Sequence, residues 1–301
     1  MKKSSLAALA ALLGYSIFGF SFLFSKIALD MTTPFVLLAV RFLLAFLVLT
    51  VILLVKKIKL DFKGKPVKKL LLLGLVQPIL YYICENYGIS MTSSSFSGVI
   101  IGLMPVVGLI VGRIMLKERC SAFQIVCAVA SVIGVALTAA GGMGSFSVSG
   151  TALLLVATLA SALFAAISRD ISGDFSPFER TFVMFALGSV VFTAIALIQN
   201  RADLSALLAP LSSLPFWGST LYLSVVSSVC AFLLLNFAMN HISVATASIF
   251  SNFTTVISVL AGLFIMGDQF TALQLVGVVV ITLSVFGVSM GKKTSQDCVS
   301  G

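Results

Sequence analysis

Long apolar runs alternate with short polar punctuation along the whole chain. A helix needs ~20 apolar residues to cross the hydrocarbon core of a bilayer. On that measure ten spans are predicted, at 5–27, 34–55, 69–88, 95–116, 122–141, 150–168, 178–198, 216–239, 245–266 and 271–290. The polar residues inside these runs are ordered. In span 3, Gln77, Tyr81 and Glu85 recur every four residues and share one helical face, with Pro78, Tyr82 and Asn86 as the neighbouring stripe. Span 8 carries Ser228, Phe232 and Asn236, and span 9 carries Ser248, Asn252 and Thr255, at the same kind of spacing. Tyr15 lies mid-span in span 1 beside Gly14, Ser16 and Gly19. Such stripes either line a cavity or bond neighbouring helices. The density of the span 3 stripe favours a cavity wall, and Pro78 is expected to kink that helix.

The pattern is also duplicated. Residues 71–137 match 221–287 at a constant offset of 150, pairing Asn86 with Asn236, Ser93 with Ser243 and Gln124 with Gln274. Upstream the offset is 143, where Ser25-Lys26 and Pro34-Phe35 match Ser168-Arg169 and Pro177-Phe178. Two units follow, 1–144 and 145–301, each with five spans. An odd span count turns one copy upside down relative to the other. Inverted repeats in an apolar chain are a signature of secondary transporters, whose pathway runs between the copies. The stripes of spans 1, 3, 8 and 9 should then converge near mid-membrane. The expected substrate-facing residues are Tyr15, Gln77, Tyr81, Tyr82, Asn86, Asn236 and Asn252.

Composition confirms the class. Hydrophobic residues make up 59% and charged residues 10%, against roughly 25% charged in a soluble domain. Mean hydropathy is +1.17. The fold class is therefore an all-α integral membrane protein of ten helices. The net charge of +9 could suggest nucleic acid, but its distribution reads as topology. Lys2, Lys3, the seven lysines between Lys56 and Lys69, Arg113, Lys117, Arg119, Arg169, Arg180, Lys292 and Lys293 all fall on one side if ten spans alternate. By the positive-inside rule that side, with both termini, is cytoplasmic and the protein sits in the cell membrane. The apolar stretch after Lys2-Lys3 is too long for a signal peptide and is read as a retained span.

Two helix starts are legible as capping boxes, Ser121-Ala-Phe-Gln124 and Thr271-Ala-Leu-Gln274. Gly98, Gly102 and Pro105 in span 4 mark close backbone approach, and Gly108 with Gly112 has the spacing of a helix-packing pair. The five cysteines are odd in number and lack CxxC spacing, which points to neither disulfides nor a metal, and no cofactor is expected. One histidine and ten acids, nearly all in turns or tails, leave no constellation for an enzyme. Glu85 is the acid deep inside a span and Arg41 the base, at comparable depth. An unpaired charge there costs at least ~3 kcal/mol. Two readings stay open: a buried Arg41–Glu85 ion pair, or Glu85 as the group that couples protons to transport.

These motifs resemble the ten-helix EamA-type transporters of the drug/metabolite transporter superfamily. The resemblance rests on Gly19-x-x-Phe22-x-x-Ser25-Lys26, Pro34 with Arg41-Phe42, Glu85-Asn86-x-Gly88 running into Ser93-Ser94-Ser95, Pro105, Glu118-Arg119-x-Ser121-x-x-Gln124 and Gly134-Val135. In the second copy Thr255 stands where a proline is common and Asp268 where a glutamate is common, which leaves a kink in span 9 open. The resemblance implies inner-membrane transport of small metabolites, often export of amino acids or related compounds. It also implies a cavity lined by spans 1, 3, 4, 6, 8 and 9, with spans 5 and 10 peripheral. The expected partners are a small-molecule substrate, the lipid bilayer and a coupling proton, with no nucleic acid, and a monomer is sufficient. The alternatives are a multidrug or lipid-linked carrier, and a membrane sensor or scaffold that transports nothing.

Overall fold

Each predicted apolar run forms helix. The structure, a computed structural model, describes residues 3–115, 121–140, 147–202, 205–241, 244–267 and 271–297. Spans 1 and 2 are Lys3–Leu29 and Pro34–Val55, and span 3 is Val67–Ser90. Span 4 comes in two pieces, Ser94–Ile101 and Met104–Met115. Spans 5, 6 and 7 are Ala122–Ala140, Val148–Asp170 and Pro177–Gln199. Span 8 begins at Leu214, span 9 is Val244–Ala261 extended by Gly262–Met266, and span 10 is Ala272–Asp297. Among the described residues, six of these helices are long and apolar enough to cross a membrane and four more are shorter apolar helices. The protein is an all-α membrane protein. Its burial pattern fits lipid as solvent: Val126 and Val190 are 64% and 69% exposed, while Arg41 and Arg180 are 1% and 0% exposed.

Helix breaks have local causes. Proline disfavours helical backbone at the residue before it, and Gln77, ahead of Pro78, sits at φ −144°, ψ 113° inside a π-helical stretch, Leu75–Leu80. The expected kink in span 3 is therefore present. Pro105 would clash with the carbonyl of residue 101, and span 4 stops at Ile101 before resuming at Met104. Span 8 has a matching π-helical stretch, Tyr222–Ala231, without proline. There Ser224 donates to the Thr220 carbonyl at 2.6 Å, a back-bond that bends helices. Span 9 is helical through Thr255, so no kink replaces the missing proline.

Caps behave as anticipated where they are described. Gln124 Oε1 accepts from the Ser121 N–H at 3.0 Å while Ser121 Oγ accepts from the Gln124 N–H at 3.2 Å. The Gln274 side chain lies outside the described residues. A further capping box, Ser176 with Glu179, starts span 7. Glu179 also accepts from the Asp61 N–H at 2.9 Å and meets Lys65 at 3.9 Å. With Lys69–Asp170 at 2.7 Å, these bonds place the lysine-rich 56–66 loop and the 171–176 turn at the same end of the bundle.

Packing pairs the spans across the middle of the chain. Span 5 runs along span 10 and span 2 along span 7; span 1 packs on spans 8 and 9, and span 6 on spans 3 and 4. The pattern maps onto itself when each span is exchanged for the one five places on. At its centre Phe42 and Phe185, 143 residues apart, stack with centroids at 4.9 Å. Each then meets the ring of the next helix edge-on, Tyr82 at 5.1 Å and Phe232 at 5.6 Å. Spans 4 and 9 cross where Gly98 and Gly102 face Ser258 and Thr255 so closely that a Cβ at either glycine would overlap the opposing hydroxyl. Gly108, by contrast, has open space where a Cβ would lie, so it is not a packing glycine of this fold.

Gly98→Val and Gly102→Val should each cost at least about 2 kcal/mol, because neither helix can retreat without disturbing the crossing. Gly108→Ala should be neutral or stabilising by up to ~1 kcal/mol. Thermal unfolding of purified protein in detergent checks both.

Candidate functional site

The stripes identified in spans 1, 3 and 8 meet at one central cavity. Its walls come from Tyr15, Phe18, Ser21 and Phe22 of span 1, Gln77, Tyr81, Tyr82 and Glu85 of span 3, and Ile101, Gly102 and Met104 of span 4. The other side supplies Ser161, Phe164 and Ala165 of span 6, Ser227, Phe232, Leu235 and Asn236 of span 8, and Ser251 and Thr254 of span 9. Arg41 reaches in from span 2. About 70 Å³ is open to the centres of water molecules, several times the space a single water needs. Among the described residues, spans 5 and 10 take no part.

The walls are related position by position. Phe18, Ser21 and Phe22 correspond to Ser161, Phe164 and Ala165 at an offset of 143. Gln77, Tyr82 and Glu85 correspond to Ser227, Phe232 and Leu235 at 150, as do Ile101 and Met104 to Ser251 and Thr254. The shape is thus two-fold while the chemistry is not. Spans 2 and 3 contribute a guanidinium, a carboxyl, an amide and two phenols. Spans 6, 8 and 9 oppose them mainly with Phe164, Phe232, Leu235 and small hydroxyls.

Arg41 and Glu85 share this cavity but do not form an ion pair, which corrects one of the two expectations for them. Two tyrosines take their places as partners. Glu85 Oε1 accepts from the Tyr81 hydroxyl at 2.7 Å. Arg41 donates through Nε to Ser228 at 3.0 Å and through Nη2 to Tyr82 and Ser227, both at 3.2 Å. Its guanidinium also lies 4.5 Å from the Tyr82 ring centroid, a cation–π distance. The rings of Tyr81 and Tyr82 stand edge to face at 4.9 Å, so the phenol pair separates the charges.

A family model for the EamA-like transporter family matches residues 5–140 and again 148–290. The chain belongs to the EamA-like transporter family. It is 33% identical over 297 residues to the uncharacterized transporter YcxC of Bacillus subtilis (strain 168), covering 96% of this chain and 95% of that one. The uncharacterized transporter YyaM of the same organism is 26% identical, covering 92% of each chain. An uncharacterized transporter of Archaeoglobus fulgidus is 24% identical over 89% of this chain and 93% of its own. A crystal structure of another protein superposes with a TM-score of 0.69 at 14% identity, covering 95% of this chain and 97% of that one. That last likeness concerns the fold alone.

Of the residues expected to face substrate, this EamA-family protein brings Tyr15, Gln77, Tyr81, Tyr82 and Asn236 to the cavity. Asn86 is corrected: it is fully buried off the cavity, with Nδ2 donating to the Tyr82 carbonyl of its own helix at 2.9 Å and Oδ1 without a partner. It lies about 100° round the helix from Glu85, which lines the cavity. The side chain of Asn252 lies outside the described residues. Gln77 is 5% exposed with an unpartnered Oε1, held at the helix break. Applying the repeat offset to Gln77, Tyr82 and Glu85 would have found Ser227, Phe232 and Leu235 from sequence.

Arg180 is the residue that sequence reasoning misplaced. It is one of the positive charges that the alternation of spans assigns to the cytoplasmic side, yet it is fully buried. Its Nη1 donates to the Ser168 carbonyl and hydroxyl, each at 2.7 Å, and Nη2 donates to Asn240 Oδ1 at 2.7 Å and to the Asn236 carbonyl at 3.4 Å. Asn236 in turn accepts from Ser168 at 3.3 Å and donates to Thr181 at 2.9 Å. Asn236 therefore bonds spans 6 and 7 as well as bordering the cavity. The network ties the ends of spans 6, 7 and 8 together.

Arg180→Ala should lower stability by at least about 2 kcal/mol, since each hydrogen bond to a charged group contributes ~1.5–3 kcal/mol. Arg180→Lys should recover only part, because one ammonium cannot reproduce the planar fork that spans Ser168 and Asn240. The melting temperatures of the two variants against the parent check this.

Proposed function

We propose that this protein is a secondary transporter of small metabolites that works by alternating access between two inverted five-helix units, 1–144 and 145–301. The observation that carries the reading is the position-by-position correspondence of the cavity walls, which supports a cavity near a pseudo-twofold axis between the units, where inverted-repeat transporters bind substrate. Two corresponding contacts support it. On one side Gly88 of span 3 abuts Leu154 of span 6, with Leu154 Cγ 2.6 Å from where a Cβ would lie. On the other, Ala11 of span 1 and Ala238 of span 8 pack in one cluster with Leu235. The four residues correspond under the repeat, 11 with 154 and 88 with 238. Rocking one unit against the other would loosen one contact as it tightens the other.

The contrast between the polar wall of spans 2 and 3 and the apolar wall of spans 6 and 8 suits a solute with a polar head and an apolar part. Amino acids and related compounds fit that description, and export is the direction the family resemblance suggests. The lysine distribution supports cytoplasmic termini in the cell membrane.

In a background cleared of native cysteines, single cysteines introduced at 60–65 should label only when reagent reaches the cytoplasm, and those at 89–94 from outside. The reverse pattern would invert the orientation. For the cavity, purified protein is expected to gain thermal stability from at least one compound in a panel of amino acids, organic acids, nucleosides, sugars and cationic drugs. Ser161→Trp fills the cavity from a residue whose hydroxyl donates, among the described residues, only to Met104 Sδ at 3.5 Å, so it should abolish that gain while leaving the unliganded melting temperature within a few degrees. A gain that survives Ser161→Trp would place binding elsewhere, and no gain from any compound would remove the transporter cavity.

A further inference from the structure

Among the cavity-lining groups Arg41 is the anomaly. It is 1% exposed, inside a span, and no carboxylate lies within ion-pair distance of it among the described residues. A charge retained at that depth without a counter-ion is by default functional. Its fixation is one-sided. Nε and Nη2 are used on Ser228, Tyr82 and Ser227, and the Tyr82 ring supports the guanidinium face. Nη1 makes no hydrogen bond to protein among the described residues, and it is not one of the fully enclosed atoms that lack a partner. The free N–H groups of Arg41 therefore meet the cavity that the residue lines. The Tyr82 hydroxyl accepts from Arg41, and its own proton has no acceptor among the described residues. This pole of the cavity thus presents donors and a fixed positive charge, and neutral hydroxyls hold it in place.

We infer that Arg41, with Tyr82 beside it, is the specificity-determining receptor for a carboxylate, or an equivalent oxyanion, on the transported solute. The inference rests on the cavity being the transport site. A carboxylate supplies the charge that Arg41 lacks and accepts from Nη1 and the Tyr82 hydroxyl, as charge-assisted bonds to an arginine fork favour. The body of the solute then lies toward Phe164, Phe232 and Leu235. Glu85 is engaged by Tyr81 rather than by Arg41, so it leaves the arginine free to take a ligand anion.

Matched probes test this. 3-Phenylpropionate, 3-phenylpropanamide and 3-phenylpropylamine share one apolar body and differ in head charge. The same three heads on an indole body and on a branched alkyl body guard against a misfit of the body. Thermal stabilisation of the purified protein is titrated with each. In at least one body series the carboxylate should bind at least tenfold more tightly than its amide and amine. Arg41→Gln should erase that preference, and Arg41→Lys should keep part of it. Because Arg41 links spans 2, 3 and 8, Tyr82→Phe serves as the milder variant: it retains the ring, and it should weaken carboxylate binding several-fold without changing amide binding. Amides or amines that bind the parent as well as the carboxylates do would overturn the inference and leave the cavity reading intact. So would a carboxylate preference that survives Arg41→Gln, or one that Tyr82→Phe leaves undiminished. If no head on any body binds, the cavity reading itself falls.

Discussion

The structure depends first on the lack of water in the bilayer core, which obliges every backbone polar group to find a partner inside the protein. Helices meet that demand within themselves, and among the described residues the spans are helical apart from short local breaks. Side chains follow the same constraint. Serine and threonine hydroxyls inside spans repeatedly donate to the carbonyl four residues back, as Thr158 does to Leu154 at 2.8 Å and Thr50 to Phe46 at 2.8 Å. The backbone departs from helix at Gln77 and at Gly102–Leu103, and both places lie against the cavity. Irregular backbone is tolerable there because a polar space, rather than lipid, receives the freed groups.

Polar side chains are drawn to the same interior, and this is what makes the cavity chemically uneven. Positions 143 or 150 apart occupy equivalent places in the walls, so the backbone arrangement is close to two-fold. The residues have diverged within it. Tyr82 faces Phe232 across the Phe42–Phe185 stack, and the counterpart of Glu85 is Leu235. Divergence also distinguishes the two ends of the bundle. Arg180 and Thr181, which hold the ends of spans 6, 7 and 8 through Ser168 and Asn236, correspond at an offset of 143 to Leu37 and Leu38, both fully buried. One end is tied by a charged hydrogen-bond network and the other by apolar packing.

How much was legible can be judged residue by residue. Apolar run length located the spans, because bilayer thickness imposes one length on each of them. Proline at 78 marked the break in span 3, since its ring disfavours helical backbone at the residue before it. Helical periodicity placed Gln77, Tyr81 and Glu85 on one face, and all three line the cavity. The same periodicity failed for Asn86. A stripe of this kind spreads around the helix, and only the positions of spans 2, 4 and 6 decide where cavity gives way to contact.

The sequence by itself therefore determined the class, the number of spans, the break in span 3 and one wall of the cavity. These follow from local rules: hydrophobic length, proline sterics and the 3.6-residue period. Tertiary structure alone decided who partners whom. Arg41 and Glu85 lie at matching depth, yet each finds a tyrosine, because Tyr81 and Tyr82 stand between them on span 3. Arg180 sits four residues into a helix beside a turn, where sequence suggests solvent, yet spans 6 and 8 close over it. Depth along a helix is a one-dimensional quantity that sequence carries. The direction in which a side chain leaves its helix, and what it meets there, depends on how ten helices pack in three dimensions.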